Sequence, residues 1–216
     1  MSPMRRAIAV ALLLPAFAAQ AQSTAPVAEK DYVEIPNGSP LDPGNGQVVV
    51  EEYFNYACPG CNGFEPRFAA WTRQLPPYVR LDHVPAAFRA DFVQYARAYY
   101  AAQALGVADK AHQAVYDGIH RTRTLPGEGQ KPDEARIAQF YASFGVGADE
   151  FLAAMQSFGV NVKVRRATEH MQRIKIPETP SIVVNGRYLV RGESVDDMLR
   201  IASALIEQEH ALGAGR

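Results

Sequence analysis

Val48-Val49-Val50-Glu51-Glu52-Tyr53-Phe54-Asn55-Tyr56-Ala57-Cys58-Pro59-Gly60-Cys61-Asn62-Gly63-Phe64-Glu65-Pro66-Arg67-Phe68 changes character in the middle. Its first seven residues are apolar except for two glutamates, the pattern of a central strand covered on both faces. From Phe64 onward, Phe64, Phe68, Trp71 and Leu75 recur at intervals of three and four. That spacing predicts an amphipathic helix ending at Pro76-Pro77, bent where Pro66 removes a backbone donor. The only two cysteines in the 216 residues, Cys58 and Cys61, stand at the junction. A C-x-x-C pair between a strand and a helix points to redox chemistry.

The surrounding chain bears on what such a pair can do. Arg5 and Arg6 precede an apolar run from Ala7 to Ala18, and Ala19-Gln20-Ala21 follows with small residues at alternate positions. This is the layout of an export signal, and cleavage is expected after Ala21. Losing the two arginines takes the net charge from −1 to −3. Such a balance, with no basic patch interleaved with aromatics, argues against nucleic acid as a partner. An exported chain meets a compartment in which disulfides persist, yet two cysteines are too few for a stapled scaffold. The pair is therefore expected to be used chemically.

Residues 22–47 read as a Pro/Gly-rich lead with one strand at 32–35, followed by the strand at 48–54 and another at 79–84 that closes a β-α-β unit. From 91 to 173 the pattern is helical throughout, at 92–105, 110–121, 133–144, 149–157 and 160–173. Asp91, Asp109 and Asp133 are placed as N-caps, and Gly106, Gly145 and Gly159 as stops. Phe88, Phe92, Tyr95, Tyr99, Tyr100 and Phe140 are assigned to the core of this helical segment. Strands return at 181–184 and 187–190 around Asn185-Gly186, the dipeptide of a tight hairpin. Ser194, with Asp197 three residues on, opens a final helix at 195–210. The expected fold is α/β, a mixed sheet flanked by helices and interrupted once by an all-helical insertion.

Glu52-Tyr53-Phe54-Asn55-Tyr56-Ala57-Cys58-Pro59-Gly60-Cys61, with Thr179-Pro180 ahead of Ser181-Ile182-Val183-Val184-Asn185-Gly186-Arg187-Tyr188, resembles the DsbA family of periplasmic thiol:disulfide oxidoreductases. The resemblance covers essentially the whole mature chain. It implies a thioredoxin fold with a helical insertion, divided as signal peptide 1–21, first thioredoxin-like part 22–90, insertion 91–173 and second part 174–216. It also implies donation of the Cys58-Cys61 disulfide to reduced exported proteins and peptides in the periplasm, and re-oxidation by a membrane partner similar to DsbB. No cofactor or metal is implied, and the lead at 22–47 is too short for the dimerisation domain usual in isomerases, so a monomer is expected.

Physical chemistry gives each residue a role beside that resemblance. Cys58 should stand at the helix N-terminus, where unpaired N–H groups and the macrodipole favour a thiolate. Pro59 suits the first helical position, Gly60 leaves the approach to Cys58 open, and Cys61 should be the buried resolving thiol. Glu52, six residues before Cys58, is a candidate to exchange a proton with Cys61. Its alternative is a solvated strand residue, because Glu51 and Glu52 face opposite sides and burying both is costly. Pro180 matches the family's cis-proline, which leaves the Thr179 backbone free to pair with an extended peptide. Histidine usually replaces Gly60, and often valine Thr179, in strongly oxidising relatives, so a less oxidising pair is expected here. The competing readings are a reductase or isomerase, and a secreted binding module whose disulfide is structural.

Overall fold

A computed structural model describes residues 25–214. The expected export signal at 1–21 lies outside them. Five strands form one mixed sheet in the order β1-β5-β4-β2-β3. They are β1 (Tyr32–Glu34), β2 (Val48–Phe54), β3 (Val79–Pro85), β4 (Ser181–Val184) and β5 (Tyr188–Val190). β2 and β3 are parallel, joined by α1 (Pro59–Thr72), while every other pairing is antiparallel. Between β3 and β4 run α2 (Ala90–Ala104), α3 (Ala108–Tyr116), α4 (Glu134–Tyr141), α5 (Ala148–Gln156) and α6 (Phe158–Arg173). The last helix, α7 (Val195–Ala214), returns to pack beside α1.

Strand alternation sorts the core into two layers. Val48 and Val50 of β2, with Ile182 and Val184 of β4, pack with Phe64 and Phe68 of α1 and Leu205 and Ile206 of α7. Tyr53 and Val183 join the apolar cluster that continues through α2, α3, α4, α5 and α6. All seven residues of β2 are buried, so both Glu51 and Glu52 are 0 % exposed. The alternative of a solvated Glu52, argued from the cost of burying both carboxylates, is set aside. Each keeps one oxygen satisfied: Leu41 N–H donates to Glu51 Oε1 at 2.6 Å, and His83 Nδ1–H donates to Glu52 Oε2 at 2.6 Å.

Several element ends differ from the sequence expectation. Asp133 caps α4, accepting from Arg136 N–H at 2.9 Å. Asp91 and Asp109 are not caps: α2 and α3 begin earlier, from Arg89 and Val107, and both aspartates lie in first turns. Asp91 instead accepts from Arg89 and from Gly129 N–H, tying a loop to the helix start. Gly159 is no stop either, because it lies inside α6; the break is Ser157, whose extended backbone ends α5 and whose hydroxyl caps α6. α1 ends at Thr72 rather than at Pro76. Phe88 is 46 % exposed and leaves the assigned core, whereas Phe92, Tyr95, Tyr99 and Tyr100 are buried and Phe140 packs against them. Asn185 (φ 51°) and Gly186 (φ 65°) take the left-handed conformation that a two-residue hairpin turn needs, and Arg187 N–H closes it onto Val184 C=O at 3.0 Å.

Candidate active site

Cys58 occupies the N-cap of α1 and Pro59 the first helical position, where its missing N–H costs nothing. The turn before them is fixed by Asn55, which is fully buried. Its amide donates to the carbonyls of Ala86 (2.8 Å) and Phe92 (3.1 Å), and its Oδ1 accepts from Ala57 N–H at 2.9 Å. Asn55 C=O also accepts from Cys58 N–H. In the sequence, the one signal for this bracing role is an asparagine at the end of a buried strand, just ahead of a helix cap.

The two thiols are free and unalike, Cys58 half-buried and Cys61 buried. Cys58 is pulled down to about 5, first by the Cys61 thiol donating to it, then, against some burial, by the Thr179 side chain and the N–H groups of Cys61 and Gly60. Burial pushes the Cys61 thiol far up, and the nearby Cys58 and Glu52 charges push it further. One sulfur is thus a thiolate at neutral pH and the other keeps its proton.

Thr179-Pro180, more than a hundred residues away, lies directly against this pair. The peptide bond is cis, and Thr179 C=O accepts from Cys58 Sγ at 3.4 Å. A Cβ at Gly60 would stand 3.3 Å from Pro180 Cδ and 3.6 Å from Cys58 Sγ. Gly60 therefore faces both the sulfur and the proline, and a side chain there would cover them. Beside Pro180 opens a cavity of about 610 Å³, bounded by Glu178, Ser181, Arg191 and Met198 among others.

Glu52 shares the α1-facing side of β2 with Val48 and Val50, and its hydrogen bond goes to His83 rather than to a cysteine. Its other oxygen, Oε1, is buried without a partner. No motif of the sequence involves His83. Its place opposite Glu52 follows only from the β2–β3 register. His112, on α3, is brought in by helix packing: its Nδ1 accepts from Tyr56 O–H at 2.8 Å and its Nε2 lies 3.5 Å from buried Glu65. His120, on a wide π-turn at Asp117–Arg121, donates to Tyr56 C=O at 2.8 Å and braces the backbone two residues before Cys58.

A half-exposed thiolate backed by a buried thiol, with a peptide backbone at hand, is built for thiol–disulfide exchange. Comparison with known proteins reaches the same chemistry. The family model described as Thioredoxin matches residues 44–203. The thiol:disulfide interchange protein DsbA of Azotobacter vinelandii is 36 % identical over 222 residues, covering 96 % of this chain and 99 % of that protein. Its counterpart from Burkholderia cepacia is 32 % identical over 190 residues, covering 87 % and 86 %. The crystal structure of oxidoreductase DsbA from Xylella fastidiosa superposes with a TM-score of 0.83 at 39 % identity, covering 87 % of this chain and all of that one.

Proposed function

The chain belongs to the DsbA family of thiol:disulfide interchange proteins, with their thioredoxin-like fold, and on that premise we propose that Cys58 and Cys61 carry the exchange. The enzyme is a protein disulfide oxidoreductase acting on thiol-containing peptides and proteins. In the proposed cycle a substrate thiolate attacks Cys58, Cys61 leaves, and the substrate's second thiol resolves the mixed disulfide. Cys58 is then released as a thiolate that its surroundings already favour. Glu52 exchanges the proton of Cys61, Pro59 and Gly60 set how exposed and how acidic Cys58 is, and Thr179-Pro180 receive the substrate backbone. Removal of 1–21, a periplasmic location, re-oxidation by a membrane partner similar to DsbB and a monomeric state complete the reading. So does the division into 22–90, 91–173 and 174–216.

The observation that carries it is the asymmetry of the pair: Cys58 down to about 5, Cys61 far up. A stabilised thiolate favours the dithiol form, which makes the pair an oxidant that donates its disulfide rather than a reductant. An inert structural disulfide has no use for that arrangement.

The test is trapping. Cys61→Ser is expected to accumulate a mixed disulfide between Cys58 and a cysteine peptide, and Cys58→Ser to lose both trapping and the refolding of a reduced, disulfide-dependent protein. Equal trapping at either cysteine, or refolding that survives Cys58→Ser, overturns these assignments. Location is read separately, by fractionating cells that express the full chain and determining whether the N-terminus begins at Gln22.

A further inference from the structure

Every turnover puts a proton on Cys61 and every re-oxidation removes one, yet Cys61 has no exposed surface. When a substrate thiolate attacks, the Cys58–Cys61 bond breaks, the substrate–Cys58 bond forms, and the electron pair leaves on Cys61. Its thiolate is strongly disfavoured by burial, so a proton must reach it through the interior.

The β2–β3 register supplies a route. Glu52 and His83 are direct partners across the two strands, and Nδ1 of His83 meets Glu52 Oε2 at 2.6 Å. Oε1 of the same carboxylate is buried and unpartnered. β3 is the edge strand of the sheet, and the His83 side chain is 23 % exposed where Glu52 is sealed at 1 %. The exposed part of the ring borders a cavity of about 140 Å³ that Lys163 and Arg166 of α6 also line. One side of the imidazole therefore touches the buried carboxylate and the other reaches water.

Resting on the role proposed for Glu52, the geometry points to His83 as the proton port of the buried thiol. It takes a proton from water in the β3-edge cavity at Nε2 and delivers one from Nδ1 to Glu52, which passes it to Cys61. Re-oxidation by a disulfide runs the same path outward. His83 touches no reacting sulfur, so it is a relay and positioning residue. A ring that binds at one nitrogen and releases at the other suits this, whereas an amide in its place could hold Glu52 without passing a proton onward.

The charged and titratable groups around the ring set its working range. Glu52 from β2, Glu65 from α1 and Asp109 from α3 act on it, with the His112 ring 5.1 Å and the Tyr99 ring 6.2 Å away. Asp82 of β3 and the two α6 cations share the cavity. Burial, the largest single influence, disfavours its charged form, but the hydrogen bond to Glu52 together with the charges of Glu52, Glu65 and Asp109 leaves His83 above its ordinary value.

The test follows re-oxidation of the reduced full-length protein by oxidised glutathione between pH 5 and 8.5, using acid quench and thiol alkylation. His83→Gln keeps a donor toward Glu52 but cannot shuttle, and it is expected to slow the closing step by about tenfold or more. The histidine inflection should vanish from its pH profile, while the Cys58 titration at 240 nm stays put. His83→Ala should slow likewise and recover with added imidazole. A wild-type pH profile in His83→Gln, or slowing equal at every pH that imidazole does not relieve, overturns the port. Glu52→Gln separates the two ideas. If it is slow while His83→Gln is not, the port alone falls; if it runs at the wild-type rate, the role of Glu52 falls with it. Exchange at Cys58 is judged apart, by mixed-disulfide trapping.

Discussion

Cys58 and Cys61 are three residues apart, yet their protons differ by many orders of magnitude in availability. Cys58 is an acid whose folded value lies below its ordinary 9, so its contribution to the dithiol form is present at high pH and lost as pH falls through about 5. At pH 7 that amounts to two units, or roughly 60 mV toward the oxidising side. Absorbance at 240 nm of the reduced protein should show a midpoint near 5, and an ordinary thiol midpoint would contradict it. Two neighbours pull this value down, Gly60 through its N–H alone and Thr179 through its side chain. Gly60 leaves no side chain near the sulfur, whereas the Thr179 side chain stabilises the thiolate. Contrary to the sequence expectation for threonine at this position, Thr179→Val should raise the Cys58 midpoint and lower the reduction potential against glutathione, while Gly60→His, in line with that expectation, should raise the potential. Glu51 works in the other direction. Burial raises it from 4.5 to about 7, so the unfolded chain gives up this proton first and stability falls as pH rises from 4.5 through 7. Buried His170, 3.7 Å away and pulled down to about 4 by burial, adds stability over 4 to 6.5 and masks part of that slope. Glu51→Gln keeps an acceptor for Leu41 N–H, and its stability relative to wild type should improve by about 3 kcal/mol between pH 4 and pH 8 in urea melts.

The elements show where local chemistry is enough and where it is not. Asp133 caps as its sequence suggests because the residues before it, Lys131 and Pro132, keep the chain out of the helix. Asp91 and Asp109 fail to cap because helix formation reaches two residues further toward the N-terminus in each case, and Asp91 is taken by Arg89 and the Gly129 backbone. The hairpin at Asn185-Gly186 is local in its turn but not in its glycine. A Cβ on Gly186, already disfavoured at φ 65°, would sit 2.0 Å from the Ser39 carbonyl carbon. Gly186→Ala should cost well over 1 kcal/mol in denaturant melts, more than a turn strain alone would give. Loss of only a few tenths would mean that the lead segment moves aside freely. Likewise the π-turn at Asp117–Arg121 has no evident signature in its residues, yet it is what brings His120 to the Tyr56 carbonyl.

For the whole molecule, the helical segment is not an appendage with a core of its own. Its apolar cluster runs without a break from Phe151, Met155 and Tyr141 to Tyr53, Phe54 and Cys61. Unfolding is therefore expected as one transition. Phe151→Ala, removing a fully buried ring stacked on Tyr141, should cost about 3–5 kcal/mol and lower the midpoint seen by Trp71 fluorescence in α1 as much as that seen by far-UV circular dichroism. Separate midpoints would show that sheet and insertion come apart. The strand-to-helix junction, the cysteine pair, the hairpin and the helical run between strands were all legible in the chain, because each is written in periodicity, turn residues and spacing within a few neighbours. Glu52 could be picked out as an acid six residues before Cys58, but its burial, its neighbour's burial and its partner could not. Those depend on which strand lies beside β2 and in what register, and on Leu41 and His83 arriving from elsewhere. Sequence alone therefore singled out the cysteine pair and the kind of fold that carries it. Only the tertiary structure decided how far apart their acidities lie and which groups reach them, because desolvation and charge act through space rather than along the chain.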